Sequence, residues 1–169
     1  NKLALAFNDR LSYPWFAPAG ETRGVTGATS STMRQLNAAN LDALNARKIN
    51  PIVSKPTGDA TSGPIVMGQR TLQVAATALD RVNVRRLLID VRRSIKQVAQ
   101  GLIFEPNREA TLQRFTALVT PILERVQQAE GIARFRVVID STTTTQTDIE
   151  NNTVRGKIFL QPNRSAEFI

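Results

Sequence analysis

Apolar residues recur at helical spacing in two stretches of this chain. In the first, Val84, Leu87, Leu88, Val91, Ile95 and Val98 follow one another at short helical steps, which predicts a helix over about 83–100. Asn83 stands where an N-cap would satisfy the first free N–H groups, and Gly101 where a helix can stop. At roughly 100° per residue the apolar positions fill one arc. Arg85, Arg92 and Lys96 stack on another face, with Arg86 and Arg93 beside them. In the second stretch, Leu112, Phe115, Leu118, Val119, Ile122, Leu123 and Val126 predict a helix over about 108–130, introduced by Pro106-Asn107 and ended by Gly131. Pro121 falls inside that pattern and, having no N–H to donate, should kink the helix.

Period-two alternation comes next. Residues 134–140 place Phe135, Val137 and Ile139 on one side, and Val154 to Gln161 place Ile158 and Leu160 inward. Between them, residues 141–148 are almost entirely Ser, Thr, Gln and Asp, a long polar connection expected at the surface. Upstream the pattern is weaker. Residues 2–7 fit a strand or the end of a helix, Pro and Gly punctuate 12–28 and 51–63, and a short helix fits within 33–46. Ile65-Val66-Met67 reads as a short buried strand closed by Gly68. The order predicts an α+β fold: a small mixed β-sheet packed by two main α-helices, with an irregular N-terminal part, in a single domain over 1–169. Phe115, Leu118, Ile122, Val91, Ile95, Val137 and Ile139 are expected to share its core.

Composition changes this picture by subtraction. The 169 residues include no Cys and no His, which removes thiolate nucleophiles, disulfides, Cys/His metal sites and the commonest general base. Carboxylate, Lys or Tyr chemistry stays open, but no motif supports it. Gly58 and Gly63 have phosphate-loop spacing, yet Pro64 stands where that loop requires Lys. Asp140, Asp148 and Glu150 match no calcium loop and read as turn caps. Glu105 reads as a charge near a helix start, where the macrodipole favours it. No catalytic, cofactor-binding or metal residue is assigned, and the chain is not expected to be an enzyme. No apolar run approaches the ~20 residues that span a bilayer. Asn1 is not an initiator Met and no signal peptide follows it, so the chain is read as a fragment of a longer protein.

Charge adds a candidate surface. The net charge is +8, and residues 81–96 alone hold six basic residues against the single Asp90, a net +5. A localised basic face calls for an acidic partner: nucleic acid, a membrane surface or an acidic protein. Sequence-neutral nucleic-acid binders pair such charge with aromatic platforms. The basic helix carries no aromatic residue, and Trp15 and Phe16 sit in a distant loop as expected core anchors. A basic nucleic-acid-binding module is the alternative reading.

Short segments go further. Tyr13-Pro-Trp-Phe-Ala-Pro-Ala-Gly20 with Thr22-Arg-Gly24 resembles the WxAPAGxxRG stretch of the tail sheath proteins of contractile-tailed bacteriophages. Leu44-Asn45 with Lys48-Ile-Asn-Pro-Ile52, Gly68-Gln-Arg-Thr-Leu72, Val82-Asn-Val-Arg-Arg-Leu87 and Phe104-Glu-Pro-Asn107 are similar to further segments of that family. So are the strand Phe135 to Asp140 with Asp148 and Asn152, and Gln161-Pro162 with Ala166-Glu-Phe-Ile169. They occur in the family's order over nearly the whole chain, with the ending most similar to sheaths of the T-even-like group.

The resemblance implies the inner, C-terminal domain of a sheath subunit. Such subunits stack as hexameric rings around a tail tube, and the sheath contracts to drive the tube through the host envelope, with no cofactor. The implied partners are other sheath subunits, the tail tube protein, and the baseplate and tail terminator proteins. The implied location is the virion tail, reached by assembly in the host cytoplasm. On this reading Arg85, Arg86, Arg92, Arg93 and Lys96 face the tube or a neighbouring subunit. Val154, Lys157, Ile158, Phe159, Leu160, Phe168 and Ile169 take part in strand exchange between subunits.

Overall fold

The computed structural model describes residues 2–26, 32–54, 63–140 and 142–167. The residues expected to make one domain divide into two compact units, 1–87 with 164–169 and 88–163. The class is α+β, and the described strands form two separate antiparallel pairs where a mixed sheet was expected.

In the first unit, residues 2–7 resolve as helix, within α1 (Lys2–Leu11). Asn8 is wholly buried, and its side-chain N–H groups donate to the Tyr13 carbonyl at 3.3 Å and the Phe16 carbonyl at 3.5 Å. This clamps the loop that presents Trp15, itself buried and stacked on Tyr13 with ring centroids 4.8 Å apart. Trp15 is thus the core anchor the sequence suggests. After α2 (Gly20–Arg23), Gly24 passes so close to the backbone that a Cβ there would lie 2.6 Å from the Gly20 carbonyl and 2.7 Å from that of Val66. Only glycine permits that approach. A short helix, α3 (Ala38–Ala46), starts on Asn37, whose side chain accepts the Asn40 N–H. Strand β1 (Ile52–Val53) then pairs antiparallel with β2 (Ile65–Val66). A 3₁₀ turn, Ala78–Asp80, leads to α4 (Val82–Gln100), which begins one residue before the expected cap. Arg81 is the extended residue before it, and the Gln69 carbonyl accepts the Val82 N–H at 2.8 Å. Asn83 lies inside the first turn.

The second unit holds the rest of α4, then α5 (Glu109–Gln128), β3 (Ile132–Val138), α6 (Gln146–Glu150) and β4 (Lys157–Pro162). Its fully buried apolar residues are Val91, Val119, Leu123, Val126 and Ile132. Of the expected core, Val91 is buried, Phe115, Ile122, Ile95, Val137 and Ile139 are half-buried, and Leu118 is 45% exposed. The reason is angular. Leu118 lies ~100° from Val119 around the helix, while Leu112, Phe115, Leu123 and Val126 fall within ~40° of it. The apolar run is wider than the arc the fold buries.

Helix α5 runs through Pro121 and ends in a Schellman arrangement, with the Gly131 N–H on the Val126 carbonyl at 2.8 Å and the Glu130 N–H on the Gln127 carbonyl at 3.0 Å. The left-handed position is held by Glu130, at φ 59°, and Gly131 follows it. Among the described residues no helix is long and apolar enough to cross a membrane.

Candidate assembly surfaces

The outward arc of α4 carries Arg85, Ile89, Arg92, Arg93 and Lys96, all exposed. The opposite arc buries Val84, Leu87 and Val91. Helical spacing therefore separates charge from core as the sequence suggests, with two changes. Arg86 leaves the basic face: its terminal nitrogen reaches both carboxylate oxygens of Asp9 at 2.6 Å, tying α4 to α1. Ile89, 62% exposed, joins the face and gives it an apolar centre. Sequence periodicity alone does not isolate Ile89, because it sits in the run Leu87-Leu88-Ile89.

The second surface is the ribbon of β3 and β4. Arg134, Arg136 and Val138 of β3 pair with Gln161, Phe159 and Lys157 of β4, and Phe135 and Val137 with Leu160 and Ile158. Directly opposed residues share a face. Ile158 and Leu160 thus turn inward with Phe135 and Val137, as expected, while Lys157 and Phe159 turn outward. The ribbon has two strands, so each strand has one edge without a partner among the described residues. Val154 precedes the strand and is 43% exposed. Phe168 and Ile169 lie outside the described residues.

Within residues 142–148, expected at the surface, three side chains are buried. Thr143, Thr144 and Asp148 are buried. The Thr144 hydroxyl donates to the Arg155 carbonyl at 3.0 Å and accepts the Arg155 N–H at 3.0 Å. Thr145 caps α6 in a reciprocal box with Asp148, whose other carboxylate oxygen accepts from Arg155 Nε at 2.7 Å. Asp140 caps its own turn by accepting the Thr142 N–H at 2.8 Å. Both aspartates therefore cap, as the sequence suggests. Hydrogen bonds from the Thr145 hydroxyl and N–H, with Arg155 adding to them, hold the Asp148 carboxyl below its ordinary value of 3.8.

A lowered folded pKa contributes stability that is complete above the unfolded value and lost as pH falls through the folded one. Asp148→Asn is therefore expected to destabilise at neutral pH and to approach wild type below about pH 4, as read by urea unfolding across pH. A difference that stays constant down to pH 2 would show the carboxylate is not the source.

The end of the described chain is pinned within the first unit. Glu167 Oε1 accepts from Arg81 Nε at 2.6 Å and Gln69 Nε2 at 3.1 Å, and Asn83 Nδ2 donates to Ser165 Oγ at 3.1 Å. Arg81 also meets Asp80 at 2.7 Å, and Asp80 meets Arg70 at 3.2 Å. Glu105 is exposed, lies 3.7 Å from Arg114 and precedes the start of α5 by four residues, near a helix start as the sequence suggests. Among the described residues no three carboxylates gather where a metal could bind.

The family model for the phage tail sheath C-terminal domain matches residues 75–169. The tail sheath protein of Vibrio phage KVP40 is 35% identical over 97% of this chain and 24% of its own length. That of Enterobacteria phage T4 is 30% identical over the same shares, 97% and 24%. The chain thus spans about a quarter of the length of these curated relatives. Among solved structures, a cryo-EM sheath complex of the extracellular contractile injection system PVC, in the contracted state, is similar with a TM-score of 0.86 and 29% identity, over 98% of this chain and 47% of that one.

Proposed function

This chain belongs to the phage tail sheath C-terminal domain family, and from that membership we propose that it serves a structural subunit of a contractile tail sheath. The subunits stack as hexameric rings around a tail tube and shorten to drive the tube through the host envelope, with the energy held in contacts between subunits. The observation that carries this reading is the similarity in fold, over 98% of the chain, to a protein of a sheath complex. Its partners are other copies of the subunit, the tube, the baseplate and the tail terminator. Its place is the virion tail, after assembly in the host cytoplasm. Electron microscopy of negatively stained full-length protein tests the reading: long striated tubes are expected, and a folded protein that never polymerises overturns it.

Two surfaces serve that assembly. The basic face of α4, through Arg85, Arg92, Arg93 and Lys96, meets an acidic surface of the tube or of a neighbour. Each exposed ion pair contributes only ~0–1 kcal/mol, so such charges act by register and repetition. Arg85→Glu with Arg92→Glu in the full-length protein is expected to lower assembly on tubes about tenfold at physiological salt with the fold retained. Sedimentation of tubes with bound sheath reads this, and normal assembly would remove α4 from the interface. The free edges of the β3–β4 ribbon receive a strand from a neighbouring subunit, since backbone hydrogen bonds hold while a linker flexes.

A further inference from the structure

The outer face of the β3–β4 ribbon is separate from its edges and from α4. It carries Arg134, Arg136, Lys157 and, between them, Phe159, 56% exposed. Phe159 stands directly across from Arg136 and two residues along β4 from Lys157, which puts the Cβ atoms of both basic residues within ~5–7 Å of its own. Arg134 lies one such step farther along β3. Among the described residues no carboxylate stands within ion-pairing distance of these three cations. A face meant only to stay solvated would carry a polar residue at its centre. An exposed aromatic flanked by basic residues has instead the make-up of an interface centre, where aromatic residues and Arg are enriched.

We propose that this face docks onto an acidic surface of a different protein, one presenting an apolar residue flanked by carboxylates. The charge of the chain itself argues against a second copy as the occupant. Asp9, Asp80, Glu105, Asp148 and Glu167 each already face an arginine of their own chain, and the net charge is +8. A copy of this chain would bring 22 basic residues against 14 acidic ones and meet the basic face with net like charge. The ribbon adds a second basic surface to that of α4, so one subunit engages acidic partners through two elements. The proposal rests on the reading of the protein as an assembly subunit.

The test uses assembled tails containing the full-length protein. A water-soluble carbodiimide joins Lys157 to a carboxylate it touches, and acetylation reports whether its amine is free. The expected result is a Lys157 link to an Asp or Glu of another protein and acetylation slowed about tenfold relative to the free subunit. Arg134→Glu with Arg136→Glu, and separately Phe159→Ser, are expected to weaken co-sedimentation of that protein at least about tenfold while far-UV circular dichroism is retained. The proposal is overturned if Lys157 acetylates equally fast in tails and free subunits, or links only to another copy. It is also overturned if a DNA duplex protects Lys157 and loses its binding in the Arg variants. Tubes that form normally while Lys157 stays open would refute this docking alone, whereas failure to form tubes refutes the assembly reading itself.

Discussion

Leu123→Ala is expected to cost about 2–5 kcal/mol of stability. Leu123 has no exposed surface, and it lies on the same arc of α5 as Val119 and Val126, which are buried to the same degree. Truncation there removes apolar surface and leaves a void that the close-packed neighbours fill only in part. Leu118→Ala provides the control on the same helix. Leu118 is 45% exposed, so its truncation is expected to cost under about 1 kcal/mol. Urea unfolding with unchanged slope reads both, because a shift in midpoint alone then reports stability. Equal costs for the two variants would mean that the burial of α5 is wrongly oriented. The contrast matters because sequence pattern alone places Leu118 and Leu123 in one stripe.

That example marks how far the sequence speaks. Helices α4 and α5 are legible because long apolar repeats leave little freedom in period, and their ends fall within two residues of expectation. The β3–β4 pair is legible in its alternation, and the facing of Ile158 and Leu160 follows from it. The basic face of α4 is legible as charge. What pattern omits is which charges are already used: the pairing of Arg86 with Asp9 joins residues far apart in sequence. The same holds for polar side chains that hold backbone. Asn50 accepts the Arg70 N–H at 2.7 Å and donates to the Arg70 carbonyl at 2.9 Å, joining two of the segments that carry the family resemblance. Neither residue shows this in composition or period. Glu167 is of the same kind, bonded to Arg81 and Gln69 far back in the chain, while Asn8 and Thr144 are polar residues buried by bonding loop backbone nearby in sequence. The polar run 141–148 reads as surface because hydropathy cannot distinguish a solvated threonine from one satisfied by backbone groups.

Ending the full-length protein after Glu167 is expected to leave the subunit folded and to abolish sheath polymer. The reading behind this is that Phe168 and Ile169 lead an arm that supplies a strand to a neighbour's β3–β4 ribbon. A truncation after Gln161 would be ambiguous. It would remove Pro162, which pairs with Ile132, and Asn163, whose side chain donates to the Glu130 carbonyl at 2.8 Å. It would also remove Ser165 and Glu167, the residues pinned by Asn83, Arg81 and Gln69. Loss of polymer could then result from loss of fold. Ending after Glu167 keeps every one of those contacts and removes only the chain from Phe168 onward. Head-to-tail donation of a strand propagates without closing on a pair, as a helical stack needs. Without the donated strand, the ribbon keeps a free edge and neighbours are left with side-chain contacts that must break whenever rings move. Circular dichroism and electron microscopy on the same preparation separate the two effects. Sheaths of normal length from a protein ending at Glu167 would place the connecting strand elsewhere in the subunit. A monomeric, folded product would assign the link to this end, because the fold that receives a strand would be intact and only the strand itself missing.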